Sequence, residues 1–119
     1  VGKDVYWNLE LAVKPGELDN VKALMSEMVE SANTNEPGTL SYEWSFSEDG
    51  KSCHIFERYT DSAAVMTHLG TFKEKFMERF LAAMEPERLL VYGNPSDEAK
   101  EALSGFGAVF MLPIGGFTR

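Results

Sequence analysis

Two residues in this chain have the type and setting to move protons, His68 and Glu57. A histidine's ordinary pKa of about 6.5 lets it act as a base or a donor near neutral pH. The alternative for His68 is a helix histidine bonded to structure or to solvent. Glu57 falls between Ile55 and Tyr59 in an alternating segment, and a carboxylate in such a place is not buried without a partner. It either acts as a base, orients His68, or closes a structural ion pair with an arginine. Tyr42, Trp44 and Tyr59 can build an aromatic wall with polar tips. Each taken singly also suits a core or an interface. Phe72 heads a stripe with Phe76, Phe80 and Met84 that reads as core and could also floor a pocket for a flat apolar ligand. Asn8 sits mid-strand on the less apolar face, aimed at a pocket or at solvent. His54 is assigned to the surface or an interface, and Cys53 to the core as a small apolar residue.

Other chemistries are not signalled. The chain has no G-x-G-x-x-G after a strand, no phosphate-binding G-x-x-x-x-G-K-[ST] loop, no G-x-S-x-G elbow and no H-E-x-x-H. One cysteine among 119 residues rules out an intramolecular disulfide and a cysteine-based zinc cluster. It fits a reducing compartment. A formal charge of −8 repels phosphate, so nucleic acid and anionic membrane are poor partners. No apolar run reaches the ~20 residues of a spanning helix. Val1–Asp4 and the interrupted apolar run after it do not read as a secretory leader. The expectation is a cytoplasmic protein without metal or tightly bound cofactor.

The elements that must position these residues follow from periodicity. Residues 5–13 alternate, with Val5, Trp7, Leu9, Leu11 and Val13 on one face, and predict a strand. Apolar residues at three- and four-residue steps predict a helix over 17–33, followed by a polar loop over 33–38. Residues 40–47 alternate with Leu40, Tyr42, Trp44 and Phe46 on one face, and Asp49-Gly50 turns them into a strand over 52–59. Thr60 or Asp61 caps a short helix through Leu69 that Gly70 stops. Thr71 and Glu74 read as a capping box opening a second helix, which Pro86 ends. Arg88–Tyr92 is a strand. Asn94-Pro95-Ser96-Asp97 starts a helix with proline at its first position. That helix stops at Gly105, and a last strand over 107–112 precedes the tail 113–119. The order is the split β-α-β, or ferredoxin-like, α+β arrangement. Helices cover one face of an antiparallel sheet, and the other face is left for a second copy.

Several segments, in order, carry a family likeness. Lys14-Pro15-Gly16, Glu36-Pro37-Gly38 with Tyr42, Phe56-Glu57-Arg58-Tyr59, and Ala63 followed by His68 resemble the antibiotic biosynthesis monooxygenase family, which includes quinol monooxygenases. The resemblance spans about residues 5–92, making 1–93 the family domain and 94–119 a helix-strand extension of it. It implies a dimeric ferredoxin-like protein of the α/β-barrel type. Its implied activity is oxidation of a small phenolic or quinol-like aromatic by O₂ without flavin or metal. In that reading His68 is the acid/base, Glu57 orients it, and Tyr42, Trp44, Tyr59, Asn8 and Phe72 hold the substrate. No histidine follows His68, where quinol-oxidising and haem-degrading relatives have one. Two further readings use the same fold: a non-catalytic dimeric binder or stress-response protein, and an isomerase or cyclase that needs no O₂.

Overall fold

The computed structural model describes residues 2–119; Val1, first of the segment read against a leader, lies outside them. The chain runs β1 (Val5–Val13), α1 (Leu18–Asn35), β2 (Thr39–Phe46), β3 (Ser52–Tyr59) and α2 (Ser62–Thr71). It continues through a π-helical turn (Phe72–Phe76) into α3 (Met77–Ala83), β4 (Met84–Gly93), α4 (Asp97–Ser104) and β5 (Ala108–Met111). The sheet order is β2-β3-β1-β4-β5, antiparallel except for the parallel β4–β5 pair. This is the ferredoxin-like α+β fold with one strand added at the β4 edge.

Alternation along β1 decides which face is covered. Val5, Trp7 and Leu11 are buried beneath the helices, whereas Tyr6, Asn8, Glu10 and Ala12 look to the open face. Two groups of apolar side chains fill the covered side. One gathers Val5, Trp7, Tyr59, Val65, Leu69, Val91 and Leu103. The other gathers Leu11, Val21, Leu24, Met28, Ile55, Phe80 and Met84. Leu9 packs against both. Full burial of each large side chain stabilises by about 1.5–3 kcal/mol before chain entropy is counted.

Local expectations needed correction at several points. The first helix runs to Asn35, so Asn33–Asn35 are helical and not loop. Leu40 does not share the buried side of Tyr42 and Trp44; it is 54% exposed because the β2–β3 register shifts between Thr39 and Ser41. Gly70 does not stop α2, and the Thr71–Glu74 capping box does not form, since Thr71 makes no side-chain cap bond. Glycine inside a helix costs about 1 kcal/mol relative to alanine. Packing of Leu69, Phe72 and Phe80 into the core on either side outweighs it. Met84 and Pro86 belong to β4. Leu11 faces Pro86 while Glu10 faces Arg88, so Glu87 is an extra residue and the proline sits at a bulge that tolerates its missing N–H. Pro95 lies outside α4, which Ser96 caps by accepting the Ala99 N–H. That helix ends at Ser104 with Gly105 as its C-cap, as the sequence indicates, and the chain turns at Gly107, with φ of +79°.

Candidate functional site

Rows of side chains across the sheet build the site. Tyr42 on β2, Glu57 on β3 and Trp7 on β1 are register partners, so they stand side by side on the covered face. The next row is Trp44, Ile55, Leu9 and Leu89; on the other side, Tyr59 stands between Thr39 and Val5. Parity along β3 places Glu57 inside with Ile55 and Tyr59, and its 4% exposure confirms the placement.

Helix α2 lowers His68 onto this row. Asp61 fixes the helix start by accepting the Ala64 N–H at 2.9 Å. Gly38 lets the helix come close, because a Cβ there would stand 2.6 Å from the Ala64 Cβ. His68 is 7% exposed and has a carboxylate at each ring nitrogen. Nδ1 lies 2.8 Å from Glu36 Oε1, and Nε2 lies 3.1 Å from Glu57 Oε1. Tyr59 donates its hydroxyl to that same Glu57 oxygen at 2.6 Å. Thr39 donates to Glu36 Oε1 at 2.8 Å. Tyr42 and Tyr59 pack against the imidazole with ring centroids 5.3 and 5.2 Å away.

The electrostatics follow from this sandwich. Burial alone pulls the His68 pKa down, but the hydrogen bonds and charges of Glu36 and Glu57 outweigh it and raise it to about 9. His68 is therefore an imidazolium at neutral pH. Burial opposes the charge on Glu36 as well, yet the bond to His68 holds its pKa below the usual carboxylate range. Burial, reinforced by the Glu57 charge, pushes Tyr42 and Tyr59 well above the usual phenol range, so both keep their protons. Burial also raises the Cys53 thiol to about 11, which makes it inert.

A cleft opens along the seam between the two core groups. Its water-accessible interior is about 90 Å³, and it opens to solvent. Glu57, His68 and Tyr42 line it along with Trp7, Leu9, Ile55, Leu69, Phe72, Phe80, Leu89, Leu103 and Phe106. Leu81 and Pro86 border it and are exposed, which marks the mouth. The π turn sets the aromatic side of the cleft. Eight ordinary helical steps would leave Phe72 and Phe80 about 80° apart, and absorbing one residue in a wider turn brings them within about 20°. The Met77 N–H reaches back to the Phe72 carbonyl, and the two rings meet edge to face at 5.1 Å.

The structure thus brings together His68, Glu57, Tyr42, Tyr59 and Phe72, although Tyr59 sits behind Glu57 and does not line the cleft. Trp44 also stands back from the cleft, edge-on to Tyr42 and Phe80, with its indole N–H buried and without a hydrogen-bond partner among the described residues. Asn8 is not brought to the site. Its parity on β1 is opposite to that of Trp7, and it lies on the open face between Phe56 and Leu90. Glu57 pairs with a histidine and a tyrosine, not with an arginine. Glu36 was missed as a site residue. Its signal was a charged residue just before Pro37-Gly38, at a helix end that the next element crosses.

Comparison with known proteins adds the family. The antibiotic biosynthesis monooxygenase model matches residues 5–86. The chain belongs to that family. No curated protein matches it. Among solved structures, MupZ from Pseudomonas fluorescens is similar at 24% identity and a TM-score of 0.82, covering 99% of this chain and 96% of its own. Its fold therefore includes counterparts of α4 and β5. A conserved protein from Methanosarcina mazei Go1 is 19% identical with a TM-score of 0.65, covering 76% of this chain and 91% of its own. Rv0793 from Mycobacterium tuberculosis is 21% identical with a TM-score of 0.59, covering 80% and 98%. Among the described residues, no helix is long and apolar enough to cross a membrane.

Proposed function

We propose that this antibiotic biosynthesis monooxygenase relative oxidises a small phenolic or quinol-like aromatic with O₂, using Glu57 as the base. The observation that carries the reading is the state of the Glu57 carboxylate. Its Oε1 takes the Tyr59 hydroxyl and faces His68 Nε2, while Oε2 has no hydrogen-bond partner among the described residues. Oε2 is not sealed off, because the only enclosed and unpartnered side-chain polar atom among those residues is Trp44 Nε1. A free carboxylate oxygen thus meets an apolar cleft.

Roles shift relative to the sequence reading. His68 has both nitrogens engaged and is already protonated, so it cannot accept the first proton. It holds Glu57 in place and balances its charge. The phenolic O–H breaks, its proton moves to Glu57 Oε2, and the electron-rich anion reduces O₂. One oxygen atom ends in a quinone carbonyl and the other in water, the substrate supplying all four electrons. Tyr42 and Phe72 hold the ring. The open sheet face, with Tyr6, Phe56, Leu90 and Tyr92 half-buried and Val109 and Met111 exposed, packs on a second copy. Sedimentation tests that dimer.

The test of the activity is oxygen uptake by metal-free protein with a panel of hydroquinones, alongside Glu57→Gln. The expected result is uptake by the wild type, reduced at least about 100-fold in the variant. Equal uptake by both removes Glu57 from the mechanism. Turnover of a substrate in the absence of O₂ would favour the isomerase or cyclase reading, which the proton-handling set Glu36–His68–Glu57 serves equally well. Binding with no turnover under either condition would leave a binding protein.

A further inference from the structure

We propose that the Trp7 indole N–H is the hydrogen-bond donor that grips the ligand's oxygen at the reacting end, opposite Glu57. The inference rests on the reading of Glu57 as proton acceptor. Sequence periodicity put Trp7 on one face of the first strand, and that face is buried, with Trp7 3% exposed. Its indole nitrogen is nonetheless unlike that of Trp44. Both lack a hydrogen-bond partner among the described residues, but only Trp44 Nε1 is shut away from open space. The open space that Trp7 borders is the cleft.

Placement makes this donor useful. Trp7 is the cross-strand partner of Glu57, so the two side chains leave the same sheet face from neighbouring positions about 5 Å apart. The Trp7 ring is fixed by Tyr59, with centroids 4.8 Å apart, and so is organised before a ligand arrives. Tyr42 flanks Glu57 from the other strand. A tryptophan N–H can only donate, so it is suited to an oxygen that gains negative charge. The class of ligand is then an aromatic or enolisable compound with an oxygen that becomes anionic when its proton passes to Glu57. The O–H bond breaks, a new O–H forms on the carboxylate, and the charge left on the ligand oxygen meets the indole N–H. The apolar walls toward Leu81 and Pro86 take the rest of the molecule.

The test uses 4-nitrophenol, a chromogenic phenol, without O₂. The chain has two tryptophans, so Trp44→Phe, at a residue that does not itself line the cleft, leaves a single indole NMR signal, that of Trp7. The expected result is a downfield shift of that signal on saturation with the probe, and at least tenfold weaker binding by Trp7→Phe. If Trp7→Phe fails to fold, the shift in the Trp44→Phe protein decides alone. An unmoved signal at saturation, or no binding of the probe, overturns the proposal. A shifted signal with unchanged binding by Glu57→Gln, or with no hydroquinone-dependent oxygen uptake, supports Trp7 as donor and overturns the oxidation reading instead.

Discussion

The two faces of the sheet use the same residue types to different ends. On the open face, Glu10 pairs with Arg88 and Asp4 with Arg58, and His54 is exposed. On the covered face, Glu36 and Glu57 enclose His68, and all three are buried beneath the helices. In the single protomer water screens the first set, so its pairs contribute little there. The second set lies in a medium where each charge depends on its neighbours. His54 and His68 therefore differ in chemistry because of position alone. The comparison shows that the functional signal is the burial and mutual pairing of charges, not their presence.

Mutations can break this contrast, beginning with the largest effect. His68→Ala leaves two buried carboxylates without a cation between them. It is expected to destabilise the fold by about 3–5 kcal/mol in urea titrations, with oxygen uptake lost at the same time. His54→Ala is expected to stay within about 0.5 kcal/mol of the wild type. Equal effects at the two positions would dissolve the distinction.

The pH dependence of stability sharpens it. The His68 pKa is higher folded, about 9, than its ordinary 6.5. The stability that this shift contributes is full below pH 6.5 and is lost as pH rises through about 9. The groups facing the ring are Glu36, Glu57, Tyr42 and Tyr59, and both tyrosines keep their protons across that window. Thermal midpoints should fall between pH 6.5 and 9 in the wild type, and the decline should weaken in Glu36→Gln. A flat profile in the wild type would mean that His68 is not held as a cation.

Two smaller changes complete the series. Trp44→Phe removes a buried donor that has no partner, so stability should hold or rise by up to about 1 kcal/mol in thermal melts. Arg79→Ala on the outer side of α3 should leave the melting midpoint and oxygen uptake where they were, because its pair with Glu27 of α1 is exposed to water.

Much of this architecture was written locally. Period-two alternation in residues 5–13 and 52–59 and the three-to-four spacing after Glu17 fixed strands and helix, because each must put an apolar side toward the core. The same parity placed Glu57 with Ile55 and Tyr59. Errors gathered where the whole molecule overruled a local signal. Gly70 is spanned by a continuing helix, Leu40 is turned out by a bulge, and Pro86 is tolerated at another. The meeting of Glu36, Glu57 and His68 was only half legible. Glu57 and His68 stood out by type and setting, but Glu36 was marked only by its place before Pro37-Gly38, which does not say what it will meet. Glu36 and His68 are 32 positions apart in the chain, and the close packing of α2 at Gly38 brings them together.

The sequence by itself determined the secondary structure, the ferredoxin-like class and the two residues most worth testing, because periodicity and residue type are local properties. Only the tertiary structure decided that His68 is a cation between two carboxylates, that Glu57 keeps one oxygen free, and that Trp7 and not Asn8 faces the cleft. Protonation and hydrogen-bond satisfaction depend on which groups meet in space and on how much water is left among them, and neither is set by any residue alone.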